Sequence, residues 1–156
     1  MKTEIQPVTP SEIGLTLAIL SGPRGSVRDG DWPCIEYTCQ LSDSRRRIVW
    51  TGEYARGQTV KKTPRGMAVE ASAAAKLAKA HKVAPKLDGV MRSLLSDGSA
   101  YFDGLRFEEW ASEYGYSSDS IKAKETFEAC DRIGRDLSRA LSRDELAGLR
   151  EWSSNY

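Results

Sequence analysis

The sequence is poor in the side chains that most often bind metals or perform catalysis. It contains one histidine and three cysteines (Cys34, Cys39 and Cys130), and no two cysteines form a C-x₂-C pair. Zinc sites usually use closely paired ligands, and secreted disulfide scaffolds usually have an even and denser set of cysteines. We therefore expect no metal, no cofactor and a reducing compartment.

Long apolar runs are also missing. The most apolar segment, residues 13–20, contains Gly14 and Thr16 and is far shorter than the roughly 20 residues that a transmembrane helix needs. The chain begins Met-Lys-Thr-Glu, which does not resemble the start of a signal peptide. These features predict a soluble protein of the cytoplasm that does not contact a membrane.

No catalytic set is recognisable. His81 lies in an alanine-rich stretch, and the acids nearest to it in sequence, Glu70 and Asp88, are eleven and seven residues away. A general base needs an orienting group and a nucleophile close by. The glycines at positions 22 and 25 do not have the spacing of a phosphate-binding loop. We expect no catalytic residues and predict that the protein is not an enzyme.

The charges are segregated along the chain although the net charge is only +1. Residues 45–86 contain eleven Lys and Arg against two Asp and Glu, whereas residues 99–156 contain eight against twelve. Such segregation is typical of proteins with one surface for anionic partners and another for cationic ones. The alternative is that the two regions neutralise each other in the fold, and the sequence leaves both readings open.

Alternating apolar and polar residues predict a small antiparallel sheet in the first third of the chain. We expect a strand over residues 14–20, a loop over residues 21–31 because of its glycines and proline, and a hairpin of residues 34–41 and 47–54. One face of the first hairpin strand is apolar and consists of Ile35, Tyr37, Cys39 and Leu41. Cys34 falls on the opposite face from Cys39.

Helical patterns dominate the C-terminal half. Leu87, Val90, Met91, Leu94 and Leu95 have the spacing of a core-facing stripe. Further helices are predicted near residues 107–115 and 118–140, and Ser142 with Glu145 forms a capping box for a last helix. The fold class is therefore α+β, a three-stranded antiparallel sheet packed with a C-terminal helical bundle. We expect one compact domain with a sheet part (residues 1–65), a basic Ala/Lys-rich helix or linker (66–85) and a helical part (86–156).

The basic middle of the chain is a candidate nucleic-acid-binding segment. Three arginines occupy the predicted hairpin turn, and further cations follow in a loop and in an alanine-rich helix over residues 68–83. The candidate residues are Arg45, Arg46, Arg47, Lys61, Lys62, Arg65, Lys76, Lys79 and Lys82. Cations on a scaffold with interleaved aromatic residues (Trp50 and Tyr54) are typical of phosphate-binding surfaces. The simpler reading is that these cations protect an exposed strand and solubilise a marginal helix.

Residues 94–103, 107–116, 119–120 and 122–123 resemble a family of small accessory proteins of bacteriophages and integrated mobile elements. The family's N-terminal half is similar to residues 22–25, 31–37 and 50–52, whereas residues 66–85 look like an insertion. The resemblance implies a phage setting, in which proteins of this size often bind and block a host machine, as anti-CRISPR proteins do. It implies no site residues.

We therefore expect an anti-CRISPR-like inhibitor that binds a host protein or ribonucleoprotein defence complex in the bacterial cytoplasm. Its acidic side would act as a DNA mimic in a DNA-binding groove of the partner, and tyrosine and tryptophan would act as anchors. The candidate residues are Asp103, Glu108, Glu109, Glu113, Tyr114, Tyr116, Asp119 and Trp32. The alternative is a phage accessory protein that binds nucleic acid through segment 45–86. The sequence leaves the oligomeric state open.

Overall fold

The computed structural model describes residues 5–28, 32–57 and 85–154, and for residues 25–28, 32–34 and 55–57 it describes the backbone. Three strands come first: β1 (Thr16–Arg28), β2 (Trp32–Ser42) and β3 (Ile48–Gly57). They form one antiparallel sheet in the order β1-β2-β3. The predicted α+β class is confirmed, because the helices follow the sheet in sequence.

Five helices follow in the described part of the chain. They are α1 (Leu87–Asp97), α2 (Ser99–Phe102), α3 (Phe107–Glu113), α4 (Ile121–Ala140) and α5 (Arg143–Ser154). The predicted stripe on α1 is confirmed for four of its five residues, since Val90, Met91, Leu94 and Leu95 are buried, and Leu87 is half-buried. The single turn α2 was not predicted. The predicted helix over residues 68–83 lies outside the described residues.

The predicted capping box at the start of α5 is present. The backbone N–H of Glu145 donates to Ser142 Oγ at 3.1 Å, and that of Ser142 donates to Glu145 Oε1 at 2.8 Å. Earlier in the chain, the backbone N–H of Glu12 donates to Thr9 Oγ1. This contact closes a single turn before β1 begins.

The predicted loop over residues 21–31 is wrong for its first eight positions, because β1 continues through Arg28. Proline lacks the N–H that a central strand must donate, but β1 is at the edge of the sheet, where proline is tolerated. Gly22 has a φ of +111°, and a Cβ there would lie 2.8 Å from the carbonyl oxygen of Glu36. Glycine at position 22 therefore lets β1 approach β2 closely, and it does not end the strand. β3 likewise extends to Gly57, beyond the predicted end at residue 54.

The chain divides into two compact, interleaved units. Within the described residues, the helical unit comprises residues 5–16, 42–50 and 87–154, and the sheet unit comprises residues 17–28, 32–41, 51–57 and 85–86. The predicted boundaries at residues 65 and 85 stay a prediction.

The helical unit has an apolar interior built from several elements. Leu137 of α4, Leu149 of α5 and Met91 of α1 are completely buried. Gly134 lets α4 approach α2 closely, since a Cβ at this position would lie 2.5 Å from the Cβ of Tyr101. The helices therefore pack at a distance that a larger residue at position 134 would prevent.

The sheet unit buries the predicted apolar face of β2, including Ile35, Tyr37 and Cys39. The other face of β2 holds Glu36, which is only 7% exposed. Arg24 of β1 donates to Glu36 Oε1 from both Nε (3.1 Å) and Nη2 (2.8 Å), and its Nη2 also donates to Thr38. This ion pair joins β1 to β2 and compensates the buried carboxylate.

Candidate functional site

An aromatic cluster supports the first candidate surface. Trp110 of α3 is 5% exposed, and its ring lies 5.0 Å from that of Tyr116, 5.4 Å from that of Phe127 and 6.4 Å from that of Phe107. Ala100, Ala111 and Ala123 complete this cluster. The rings meet in tilted, edge and stacked arrangements, which are favourable for aromatic pairs. The cluster fixes α3 and the turn after it.

Tyr114 and Tyr116 differ although both contact Trp110. Tyr116 is half-buried and nearly parallel to the indole, with an interplanar angle of 8°. Tyr114 lies 5.5 Å from Trp110 at 41° and remains 53% exposed. Tyr114 therefore offers a rigidly supported aromatic face to solvent, whereas Tyr116 serves mainly to stabilise the cluster.

Exposed carboxylates surround Tyr114 in the sequence. Glu108, Glu109, Glu113 and Asp119 are all exposed, and none forms an ion pair with another residue in the described part of the chain. Glu108 and Glu109 suit the first turn of α3, because the helix dipole favours anions there. Glu113 at the other end gains nothing from the dipole, and its repulsion with Glu109 at i,i+4 is unfavourable. Helix stability alone does not account for this carboxylate.

Two residues of the predicted acidic surface stand apart. Asp103 accepts a 2.7 Å hydrogen bond from Arg150 Nη2, so its charge is largely compensated. The backbone of Trp32 begins β2, but its side chain lies outside the described residues.

Ile121 was missed by the sequence reasoning. It is 77% exposed at the start of α4, two residues after Asp119. We therefore define the acidic-aromatic surface as Glu108, Glu109, Glu113, Tyr114, Asp119 and Ile121.

The second candidate region is the turn between β2 and β3. The backbone N–H of Arg46 donates to the carbonyl of Asp43, and the N–H of Asp43 donates to the carbonyl of Arg47, both at 2.9 Å. Asp43 Oδ1 accepts from the N–H groups of Arg47 and Arg45, and Arg47 Nε donates to Oδ2. The backbone N–H of Arg47 and then its side chain, with the N–H of Arg45, lower the pKa of Asp43. Asp43 is therefore the residue that organises the turn.

Arg46 has an unfavourable backbone conformation. Its φ is +64°, and among the non-glycine residues that the structure describes it is the one with a positive φ. The hydrogen bonds define a three-residue loop with a left-handed third residue, a position at which glycine is strongly preferred. A long side chain in the left-handed region costs roughly 1–2 kcal/mol. Glycine at position 46 would therefore adopt this backbone conformation at a lower free-energy cost than arginine does.

A cleft of about 320 Å³ lies beside this turn, within the helical unit. The turn side is formed by Asp43, Arg47, Ile48 and Val49, and the facing wall by the last residues of α4, Asp136, Arg139 and Ala140. A second cleft of about 460 Å³ along α4 shares Asp136 and Arg139 with the first. The fold thus places Arg139 beside the turn that contains Arg45, Arg46 and Arg47, which we name the arginine turn. Arg139 and this turn are about ninety residues apart in sequence. Arg47 and Arg139 line the first cleft, and Arg45 and Arg46 directly precede Arg47 in the turn. We name these four residues the arginine cleft.

The four arginines of the cleft have few partners. Arg45, Arg46 and Arg139 are exposed, and their side chains form no ion pair with any residue that the structure describes. Arg47 is paired with Asp43 but keeps 68% of its side chain exposed. The remaining predicted cations lie outside the described residues: Lys61, Lys62, Arg65, Lys76, Lys79 and Lys82. Arg139 had no sequence signal, because a basic residue in the last turn of a helix is usual.

The two cysteines whose side chains the structure describes, Cys39 and Cys130, are free thiols. Cys39 is buried, and burial raises the pKa of its thiol. Burial and then the charge of Asp97 raise the pKa of Cys130 to about 11. No cluster of three or more His, Cys, Asp or Glu that could bind a metal occurs among the described residues. The side chain of Cys34 and all of His81 lie outside them.

None of the helices in residues 87–154 combines the length and the apolar character needed to cross a bilayer. In comparisons with protein-family models, with curated proteins and with solved structures, nothing matches this chain. The resemblance to phage accessory proteins stays a prediction.

Proposed function

We propose that the protein acts by binding and not by catalysis, and that its acidic-aromatic surface engages a basic surface of a host defence complex. The observation that supports this most directly is Tyr114. Its side chain is half exposed and packs against a buried tryptophan. Glu109, Glu113 and Asp119 lie within five residues of Tyr114 in the sequence, and all three are exposed. Tyrosine and tryptophan are enriched in the residues that dominate binding energy at interfaces.

The chemistry of the partner follows from the charges. Carboxylates that form no ion pair among the described residues attract a positively charged surface and accelerate association with it. A groove that normally holds DNA or RNA is such a surface. In the setting that the resemblance implies, the protein would act in the bacterial cytoplasm as an anti-CRISPR-like inhibitor, with these carboxylates in the place of nucleic-acid phosphates.

An inhibition assay tests this proposal. The protein is expressed in a bacterial strain whose CRISPR system restricts a test phage, and the plating efficiency of the phage is measured. The double variant Glu109→Lys/Glu113→Lys should lose most of the rescue that the unmodified protein gives. Glu125→Lys/Glu128→Lys is the matched control, since it makes the same charge change at two exposed positions of α4.

Two results would contradict the proposal. One is the absence of any rescue by the unmodified protein across strains with different CRISPR types. The other is equal rescue by the two double variants at equal protein levels, because the acidic-aromatic surface would then have no role in the inhibition.

A further inference from the structure

We propose that the arginine cleft binds the sugar–phosphate backbone of a nucleic acid, with Arg47 and Arg139 contacting phosphate in the cleft and Arg46 of the adjoining turn contacting a neighbouring phosphate. This site is separate from the acidic-aromatic surface and does not depend on the function proposed for it. It combines three consecutive arginines of the turn, of which Arg47 lines the cleft, with Arg139, which the fold places in the same cleft.

The first argument is the conformation of Arg46. At this position of a three-residue hairpin loop, glycine satisfies the backbone without steric cost. The chain has an arginine with a φ of +64° there, and its exposed side chain forms no ion pair with a described residue that would offset this cost. An unfavourable backbone conformation held in place by its surroundings is characteristic of functional positions. A contact between the Arg46 side chain and another molecule explains why arginine occupies this position.

The second argument is the donor geometry of the cleft. Arg47 donates to Asp43 from Nε, and its two Nη groups make no hydrogen bond to another described residue. Arg139 stands on the facing wall, without an ion pair to any residue in the described ranges. Guanidinium groups present a planar fork of donors that matches phosphate oxygens, which makes arginine the preferred residue for such contacts.

The third argument concerns the two carboxylates in the cleft. Asp43 accepts two backbone N–H groups and the side chain of Arg47, so the turn itself compensates its charge. Asp136 is the other carboxylate in the cleft. Arg47 and Arg139 line the cleft together with these two carboxylates, and the exposed Arg45 and Arg46 add two positive charges in the turn beside it. The net charge of the region is therefore positive, and the apolar side chains of Ile48 and Val49 complete the cleft next to the turn.

Fluorescence anisotropy with labelled single-stranded DNA, double-stranded DNA and RNA, at about 50 and 200 mM salt, tests the proposal. The unmodified protein should bind at least one of them, with affinity that falls steeply as salt increases. Arg139→Gln should weaken binding about five- to tenfold and lower the slope of log Kd against log salt by about 1. Lys124→Gln is the control, because it removes a charge from the same helix about 22 Å away.

Arg46→Gly separates binding from folding. It should raise the midpoint of thermal unfolding by about 2 °C, since it relieves the left-handed arginine, and still weaken binding about five- to tenfold. Binding that neither Arg46→Gly nor Arg139→Gln changes, no binding to any of the three nucleic acids, or a loss of binding by Arg46→Gly together with a lower unfolding midpoint would each overturn the proposal.

Discussion

Tyr116 stacks on Trp110 with the two rings 8° from parallel and their centroids 5.0 Å apart, whereas Tyr114 lies against the same indole at 41° and keeps half of its surface in solvent. One buried tryptophan thus supports two tyrosines that differ in exposure. The difference separates a residue that stabilises the helical unit from one that is available to a partner.

The first prediction compares these two tyrosines. Tyr116→Ala should lower the free energy of unfolding by about 2–3 kcal/mol, because it removes a half-buried ring and its stacking. Tyr114→Ala should cost less than about 1 kcal/mol, since much of its ring is already solvated. Urea unfolding followed by tryptophan fluorescence measures both. Equal losses would show that Tyr114 is a structural residue and would remove it from the acidic-aromatic surface.

The second prediction concerns the close contact at Gly134. Gly134→Ala places a methyl group 2.5 Å from Tyr101 Cβ, so α2 or α4 must shift, and stability should fall by about 1–3 kcal/mol. Gly89→Ala is the control, because Gly89 is an exposed residue within α1 and should gain roughly 0.5–1 kcal/mol from the better helix propensity of alanine. A Gly134→Ala variant as stable as the unmodified protein would contradict the packing described for α4.

The third prediction concerns the ion pair in the sheet unit. Arg24→Ala should destabilise the protein by about 2–3 kcal/mol, because it leaves the carboxylate of Glu36 buried and deprived of its guanidinium. Glu53→Gln should cost less than about 1 kcal/mol, since that carboxylate is 57% exposed and 3.7 Å from Arg24. A double-mutant cycle with Glu36→Ala measures the coupling. Coupling near zero would mean that the pair contributes nothing to joining β1 and β2.

The fourth prediction is a pH dependence. The pKa of Cys130 is raised to about 11, so its thiol is protonated at neutral pH and should be alkylated by iodoacetamide far more slowly than a free cysteine. The folded pKa exceeds the unfolded one, so this thiol favours the folded state below the unfolded pKa, and that contribution is lost as pH rises toward 11. Asp97→Asn should accelerate the alkylation, because it removes the negative charge that opposes the thiolate. Peptide mass spectrometry reads the reaction at each cysteine separately.

Local patterns were sufficient for most elements because each depends on neighbours in sequence. The α1 stripe and the Ser142–Glu145 capping box are set by helical periodicity and by contacts three residues apart, and both are present as predicted. The extent of β1 was not predictable in this way. Gly22 and Pro23 have the composition of a loop, but they lie in an edge strand that pairs with β2.

The candidate surfaces show the same division. The acidic residues of α3 and the three arginines of the turn are contiguous in sequence, and their exposure could be expected from their type. The different exposures of Tyr114 and Tyr116, two residues apart, are set by the position of Trp110 in a cluster with Phe127 of α4. No local rule contains that information, because the contact joins elements distant in sequence.

The sequence by itself determined the α+β class, the faces of β2 and α1, and the segregation of charge, since these follow from residue type and period. Only the tertiary structure decided that Arg139 stands across a cleft from the arginine turn and that Arg46 adopts a left-handed backbone. The physical reason is that a contact between residues about ninety positions apart depends on how whole elements pack, and packing is a property of the complete chain.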